Sequence, residues 1–473
     1  MDQTQDAFSQ ERTWQRGKIL ALSALVCLGR HTLTGMLTTA GRQFNDWSAD
    51  YRLFSKDRFE PDKLFAHVRK NLLLEIPESE PFVCCMDDSL FRKTGKKTYG
   101  VGYWRDPLGP PFQVNLILGQ RILQISAAWV SGHKPGPARM IPIDFLHCPK
   151  AKKPPKNASP KDQAAYRQLQ KKLKISAIGA QRLQKLREAL DEEPDGMNRQ
   201  LIVSVDGSYT NGTVLKNMPS RTTLIGRIRK DARLFFLPEQ AAEGTRGRKR
   251  VYGERVPTPE ELRQSDDLPF QRIEAWAAGK THSFKIKTFA PLRWRTAGQK
   301  HNLRLIIIAP LGYRLSQASR IFYRRPAYLI CTDPDLPVHK VLQMYLWRWG
   351  IEVNFRDEKC LLGAGQAQVR NEKSVQNLPA LIIAAYAMLL IAAEKTFGQY
   401  KQTVIKLPLP KWRNKKKAKR LSTQQMITQL RVDLWCKSLD EKNFYGFKHK
   451  PSYIQNTKKW KPDIASAVLF ASN

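Results

Sequence analysis

Apolar residues recur at three- and four-residue spacing in "WQRGKILALSALVCLGRH" (14–31) and "DKLFAHVRKNLLLEI" (62–76), with "HTLTGMLTTAGRQFNDWS" between them. That period predicts a helical unit over residues 1–80, which reads either as a small DNA-binding domain or as packing support. At Pro81 the pattern changes. "PFVCCMDDS", "KKTYGVGYWRD" and "FQVNLILGQRILQISAAWV" are short apolar or aromatic runs, and they predict three consecutive antiparallel strands. A Pro- and Lys-rich linker, "HCPKAKKPPKNASPK", leads to a basic helix over about 161–190. "RQLIVSVDGSYTNG" then predicts a buried strand that runs into Asp206.

From about residue 230 to 337 the runs "ARLFFLP", "THSFKIKTFAPLRWRTAG", "NLRLIIIAPLGYRL" and "RPAYLICTDPD" predict a β-rich insertion with "TRGRKR" in a loop. Helices return in "LPVHKVLQMYLWRWGIEVNFRDEKCLLGAG" and in the apolar segment 378–396, and a short helix is predicted near 422–438. These elements divide the chain into a helical N-terminal part (1–80), a first core segment (81–230), the insertion (231–337), a second core segment (338–398) and a basic C-terminal region (399–473). The fold class is α/β.

Composition narrows the partners. With 473 residues and 42% hydrophobic content the chain can bury a large core, and its formal charge of +38 suits an anionic polymer. Nucleic acid is favoured over a membrane. The run "LPALIIAAYAMLLIAA" is shorter than the roughly 18 to 20 residues of a span and reads as a core helix. The N-terminus lacks the basic-then-apolar order of a signal peptide, so a cytoplasmic location is expected. Seven cysteines without a CxxC pair and eight scattered histidines speak against structural zinc, a disulfide framework and a zinc hydrolase site.

The chemistry concentrates in "YLWRWGIEVNFRDEK" (345–359). At about 100° per residue, Tyr345, Arg348, Glu352 and Lys359 share one stripe about a sixth of the circumference wide. The Arg348 and Glu352 pair reads alternatively as a surface ion pair. Two further acids end strands: Asp87 or Asp88 in "MDDS", and Asp206 in "VDGSY". Each is also good turn chemistry by itself. Together the three carboxylates suffice for two Mg²⁺ ions and an in-line phosphodiester displacement, with Arg348, Arg356 and Lys359 as surrounding cations.

Tyr345, Arg348, Glu352 and Lys359 reproduce Y-x2-R-x3-E-x6-K, and the chain here resembles the bacterial DDE transposases of the insertion sequence 4 group that carry this YREK signature. "MDDSLFRKTGKKTYGVGYW" is similar to the opening of the insertion sequence 701 subgroup, with Ser in place of Thr. The resemblance covers roughly residues 80–395 and implies a ribonuclease H-like core interrupted by a β-rich insertion. It implies the acids Asp88, Asp206 and Glu352 as catalytic residues and ligands of two Mg²⁺ ions, for which Mn²⁺ substitutes; Asp87 is the alternative to Asp88. It further implies phosphate contacts from Tyr345, Arg348 and Lys359, and aromatic stacking on Tyr328 and Trp349, should excision pass through a DNA hairpin. Trp276 and Trp294 are alternatives to Tyr328. The implied partners are double-stranded DNA, as terminal inverted repeats and target, and a second copy of the chain in a synaptic dimer. Basic runs at Arg246, Arg248, Lys249 and Arg250, and at Lys415, Lys416 and Lys417, add phosphate contacts without sequence information. A nuclease that cleaves without joining, and a domesticated DNA-binding protein, are the competing readings.

Overall fold

The computed structural model describes residues 1–106, 109–110, 112–130, 136–239, 250–298, 301–398 and 420–435, with Ile464 and Val468. In chain order the elements begin with α1 (Glu11–Val26), α2 (Leu33–Thr39), α3 (Ser48–Ser55) and α4 (Pro61–Leu73). Next come β1 (Phe82–Arg92), β2 (Gly102–Arg105), β3 (Leu116–Val130), β4 (Ala138–His147), α5 (Pro160–Lys172), α6 (Ile175–Asp191), β5 (Leu201–Val205), α7 (Gly212–Lys216) and β6 (Thr222–Arg227). The later part holds β7 (Leu234–Phe235), α8 (Pro259–Gln264), β8 (Gln271–Ala277), β9 (Lys280–Trp294), β10 (Leu303–Ile308), β11 (Gly312–Tyr313), β12 (Phe322–Tyr323) and β13 (Ala327–Cys331). It closes with α9 (Val338–Trp347), α10 (Trp349–Cys360), α11 (Glu372–Phe397) and α12 (Thr423–Trp435).

One mixed sheet runs in the order β2-β3-β1-β5-β6-β13-β10-β9-β7, with β4 paired to β3 and β8 to β9. Strands β1, β5 and β6 are parallel neighbours and β3 is antiparallel to β1, an arrangement consistent with a ribonuclease H-like core. The strands expected in the insertion continue this sheet, because β13 pairs antiparallel with β6.

Three local expectations change. The segment 138–147, which carries no strand in the sequence pattern above, forms β4. In the fold, Pro142 sits opposite Ser126 where the β3–β4 register shifts, and a proline is tolerated at such a bulge. The single basic helix divides at Leu173 and Lys174 into α5 and α6. The helix over 338–360 is interrupted at Arg348, whose N–H bonds Tyr345 O three residues back rather than four.

Helix α11 is long and apolar enough to cross a membrane by length and composition, yet most of that stretch is buried inside the fold. It packs against β4, α4, α1 and α3. Its N-terminus is capped by Asn371 Oδ1, which accepts from Ser374 N at 2.8 Å. The N-terminal helices thus form a layer over the same core as the sheet. The six described cysteines are free thiols, of which only Cys360 is exposed.

Candidate active site

The alternation of side chains along a strand places Asp87 and Asp88 on opposite faces of β1. Helix contacts then assign the faces. Lys359 Nζ donates to Ser89 Oγ at 2.5 Å, and Ser204 Oγ on β5 donates to Met344 O at 3.2 Å. The face carrying Asp87 and Ser89 is therefore the one covered by α9 and α10. Gly350 permits the close approach of α10, since a Cβ there would stand 2.4 Å from Met140 Cγ on β4.

Register aligns the next two groups. Met86 pairs with Val205 and Val205 with Gly226, so Asp87, Asp206 and Arg227 follow side by side across β1, β5 and β6. Arg348 closes the row from above. Its Nη1 donates to Asp87 Oδ2 at 2.9 Å and its Nη2 to Glu352 Oε1 at 3.0 Å, so the predicted ion pair exists but is one arm of a bridge to the sheet. The guanidinium also lies 5.9 Å from the centre of the Tyr345 ring. Burial pushes the Asp87 carboxyl up to about 7, with Arg348 pulling against it and the nearby Asp206 charge adding to it. Asp206 Oδ1 accepts from Ser208 N at 2.8 Å, the turn chemistry expected of "DGS".

Asp88 is engaged elsewhere. Its Oδ2 accepts from Arg121 Nε and its Oδ1 from the Tyr209 hydroxyl, both at 2.7 Å, on the face where Gly179 of α6 approaches Met86 and Tyr209. Burial, and then the Asp88 carboxylate, push the Tyr209 phenol well up. The acid brought to the Arg348 and Glu352 pair is thus Asp87.

The remaining predicted residues separate. Lys359 is lowered by burial and faces Ser89, whereas Arg356 turns away and donates from Nε and Nη2 to its neighbour Asp357 at 2.9 and 2.8 Å. Trp349 is 64% exposed beside the site. Tyr328 is 4% exposed and its hydroxyl bonds Glu260, leaving little of the ring for a stacked base. Its cavity of about 980 Å³ also takes in Gly207, Arg227 and Trp294. Trp276 is held by its backbone to Gln343. Arg250 is exposed, and Arg246, Arg248, Lys249, Lys415, Lys416 and Lys417 lie outside the described residues. Sequence reasoning passed over Arg227, Arg121 and Ser89. For Arg227 a signal existed, since it ends an apolar strand run, "TTLIGR", as Asp206 does.

Asp87 and Asp206 present the hard oxygen donors that Mg²⁺ takes, and a cation would relieve the repulsion between a buried carboxylate and its neighbour. Glu352 shares the Arg348 guanidinium with Asp87, and that guanidinium occupies its Oε1. Among the described residues no three His, Cys, Asp or Glu side chains lie close enough together to hold a metal ion as the chain stands.

No curated protein matches the chain. The family of DDE superfamily endonucleases matches residues 5–283, a span that includes β1 with its aspartates and β5 with Asp206 and ends before α10. The match spans more than half of the chain and takes in the parallel β1–β5 pair that sets Asp87 beside Asp206, so the chain belongs to the DDE superfamily endonucleases.

Proposed function

We propose that the chain is the DNA transposase of a bacterial insertion sequence, of the insertion sequence 4 group with its YREK signature. It binds the terminal inverted repeats, cleaves at the element ends and joins the 3′-hydroxyl ends to target DNA. The observation that carries this reading is the alignment of Asp87, where the β1–β5 pairing stops, with Asp206 just after β5, tied to Glu352 through Arg348. Asp87, with Asp206 and Glu352, is the acid set; Asp88 buttresses it through Arg121 and Tyr209.

Asp87 and Asp206, joined by Glu352 once it leaves Arg348, would hold two Mg²⁺ ions, or Mn²⁺, which would supply Lewis acidity to the phosphodiester. The chain's own residues do the rest. Arg348 bridges Asp87 and Glu352 in the free protein, and a scissile phosphate competes for the same guanidinium, freeing Glu352 toward the two aspartates. Tyr345 and Lys359 flank that position and orient the phosphate. Excision through a DNA hairpin is one route, with exposed Trp349 as its stacking surface. The protein works in the cytoplasm on nucleoid DNA, as a dimer that holds two ends together.

The test is strand cleavage and joining by purified protein on a labelled duplex carrying the element's own end, with Mg²⁺. Wild type nicks and joins, while Glu352→Gln and Asp87→Asn bind but do neither. Cleavage without joined product would identify a nuclease. Variants that behave as wild type would reduce the row to a structural ion-pair network.

A further inference from the structure

Beyond the acid row, one exposed feature concentrates positive charge; its one side-chain hydrogen bond from an arginine among the described residues runs from Arg314 Nη1 to Gln317 O at 3.0 Å. Strands β11 and β12 form a two-stranded ribbon separate from the main sheet, with Gly312 opposite Tyr323 and Tyr313 opposite Phe322. All of residues 312–325 are exposed except Ser319 and Phe322. The segment 309–332 contains no Asp or Glu, while Arg314, Arg320, Arg324 and Arg325 lie within it. None of the four has a carboxylate partner among the described residues.

The ribbon is locally built. Ser319 Oγ accepts from Leu315 N at 2.9 Å and Ser316 N at 3.0 Å, closing its tip, and the Tyr313 and Phe322 rings pack 5.8 Å apart across it. Arg320 lies 5.0 Å over the Phe322 ring and Arg324 5.4 Å over the Tyr313 ring. Stacking holds these guanidinium planes at the ribbon surface without consuming their N–H donors in ion pairs. At its base, Arg325 lines the cavity that also takes in Arg227 and Gly207, the residue after Asp206. A cationic path thus leads from the acid row to the ribbon.

We infer that residues 310–326 are a DNA-binding arm that grips the duplex flanking the cleavage point, with its arginines on backbone phosphates and the ribbon against a groove. This rests on the DNA-cleaving reading above. A two-stranded ribbon fits the major groove, about 12 Å wide, and an acid-free surface of exposed arginines is complementary to a polyanion rather than to an average protein surface. The aromatic residues serve as struts for the arginines and as groove contacts.

The experiment measures affinity of the full chain for a labelled mixed-sequence duplex of about thirty base pairs as salt is raised. The variant combines Arg314→Ala, Arg320→Ala, Arg324→Ala and Arg325→Ala. Each lost phosphate contact lowers the salt slope by about 0.9, so the slope falls by about 3 to 4, and wild type loses about 100-fold more affinity than the variant between about 50 and 200 mM salt. The matching set of four Arg→Lys changes keeps the slope near that of wild type. An alanine variant with the wild-type slope, or a defect confined to single-stranded oligonucleotide, overturns the arm and leaves the DNA-cleaving reading in place. Wild type that binds no duplex overturns both.

Discussion

Glu358→Gln is expected to stabilise the protein progressively as pH rises. Glu358 lies on α10, six residues after Glu352, and is fully buried. Its Oε1 accepts from Gln124 Nε2 of β3 at 2.9 Å, and its Oε2 has no hydrogen-bond partner. Burial pushes the carboxyl from 4.5 up to about 8, with Gln124 and Lys359 opposing and Asp357 adding to the rise. The folded value is raised, so between the two values the folded chain holds a proton that the unfolded chain has released. Stability is therefore full below about pH 4.5 and declines until about pH 8. A separation of about 3.5 pH units at about 1.36 kcal/mol each bounds the loss at about 5 kcal/mol.

Glutamine keeps the oxygen that Gln124 needs and cannot ionise. Thermal unfolding followed by circular dichroism from pH 4.5 to 9 should show wild type and variant converging at the acid end. At the alkaline end the bound of about 5 kcal/mol corresponds to a separation of about 10–20 °C, at about 2–4 °C per kcal/mol for a domain of 150–250 residues. Parallel curves across that range would refute the reasoning, since they would mean that Glu358 is ionised in the fold at neutral pH.

Two further outcomes are expected. Asp88→Asn should cost about 1–3 kcal/mol, read from the denaturation midpoint, because Arg121 and Tyr209 lose a charged acceptor; DNA cleavage should survive it, and a dead Asp88→Asn beside an active Asp87→Asn would reverse the assignment. Lys287→Met should cost about 2–4 kcal/mol, because the buried ammonium satisfies the carbonyls of Leu262, Arg263 and Ser265 at the end of α8; a loss under about 1 kcal/mol would show that the carbonyls find other donors.

Much of this was legible before folding. Apolar runs of strand length marked β1, β3, β5, β10 and β13, since a strand buried on both faces needs no polar alternation. Helical spacing put Tyr345, Arg348, Glu352 and Lys359 on one stripe, and the break at Arg348 did not disperse it. β4 was absent from that pattern, and only pairing with β3 supplies the bulge that accommodates Pro142.

What the sequence determined by itself is the set of chemical groups and their order along the chain: two strand-associated acid motifs, a helical stripe, and a cationic surplus suited to a polyanion. These follow from periodicity and composition, which are local properties. That β1 runs on past Asp87 and Asp88 to Arg92, where the sequence pattern ended the strand at them, came from its pairing with β3. Which of two adjacent aspartates joins Asp206 was beyond its reach, because consecutive strand residues face opposite sides and only packing decides which side receives α10. The same holds for Arg356, whose wheel position fits the stripe while the nearby Asp357 carboxylate captures it, and for Arg227, which joins the row through parallel register with β5. Register and facing are settled between segments far apart in the chain, and the tertiary structure alone decides them.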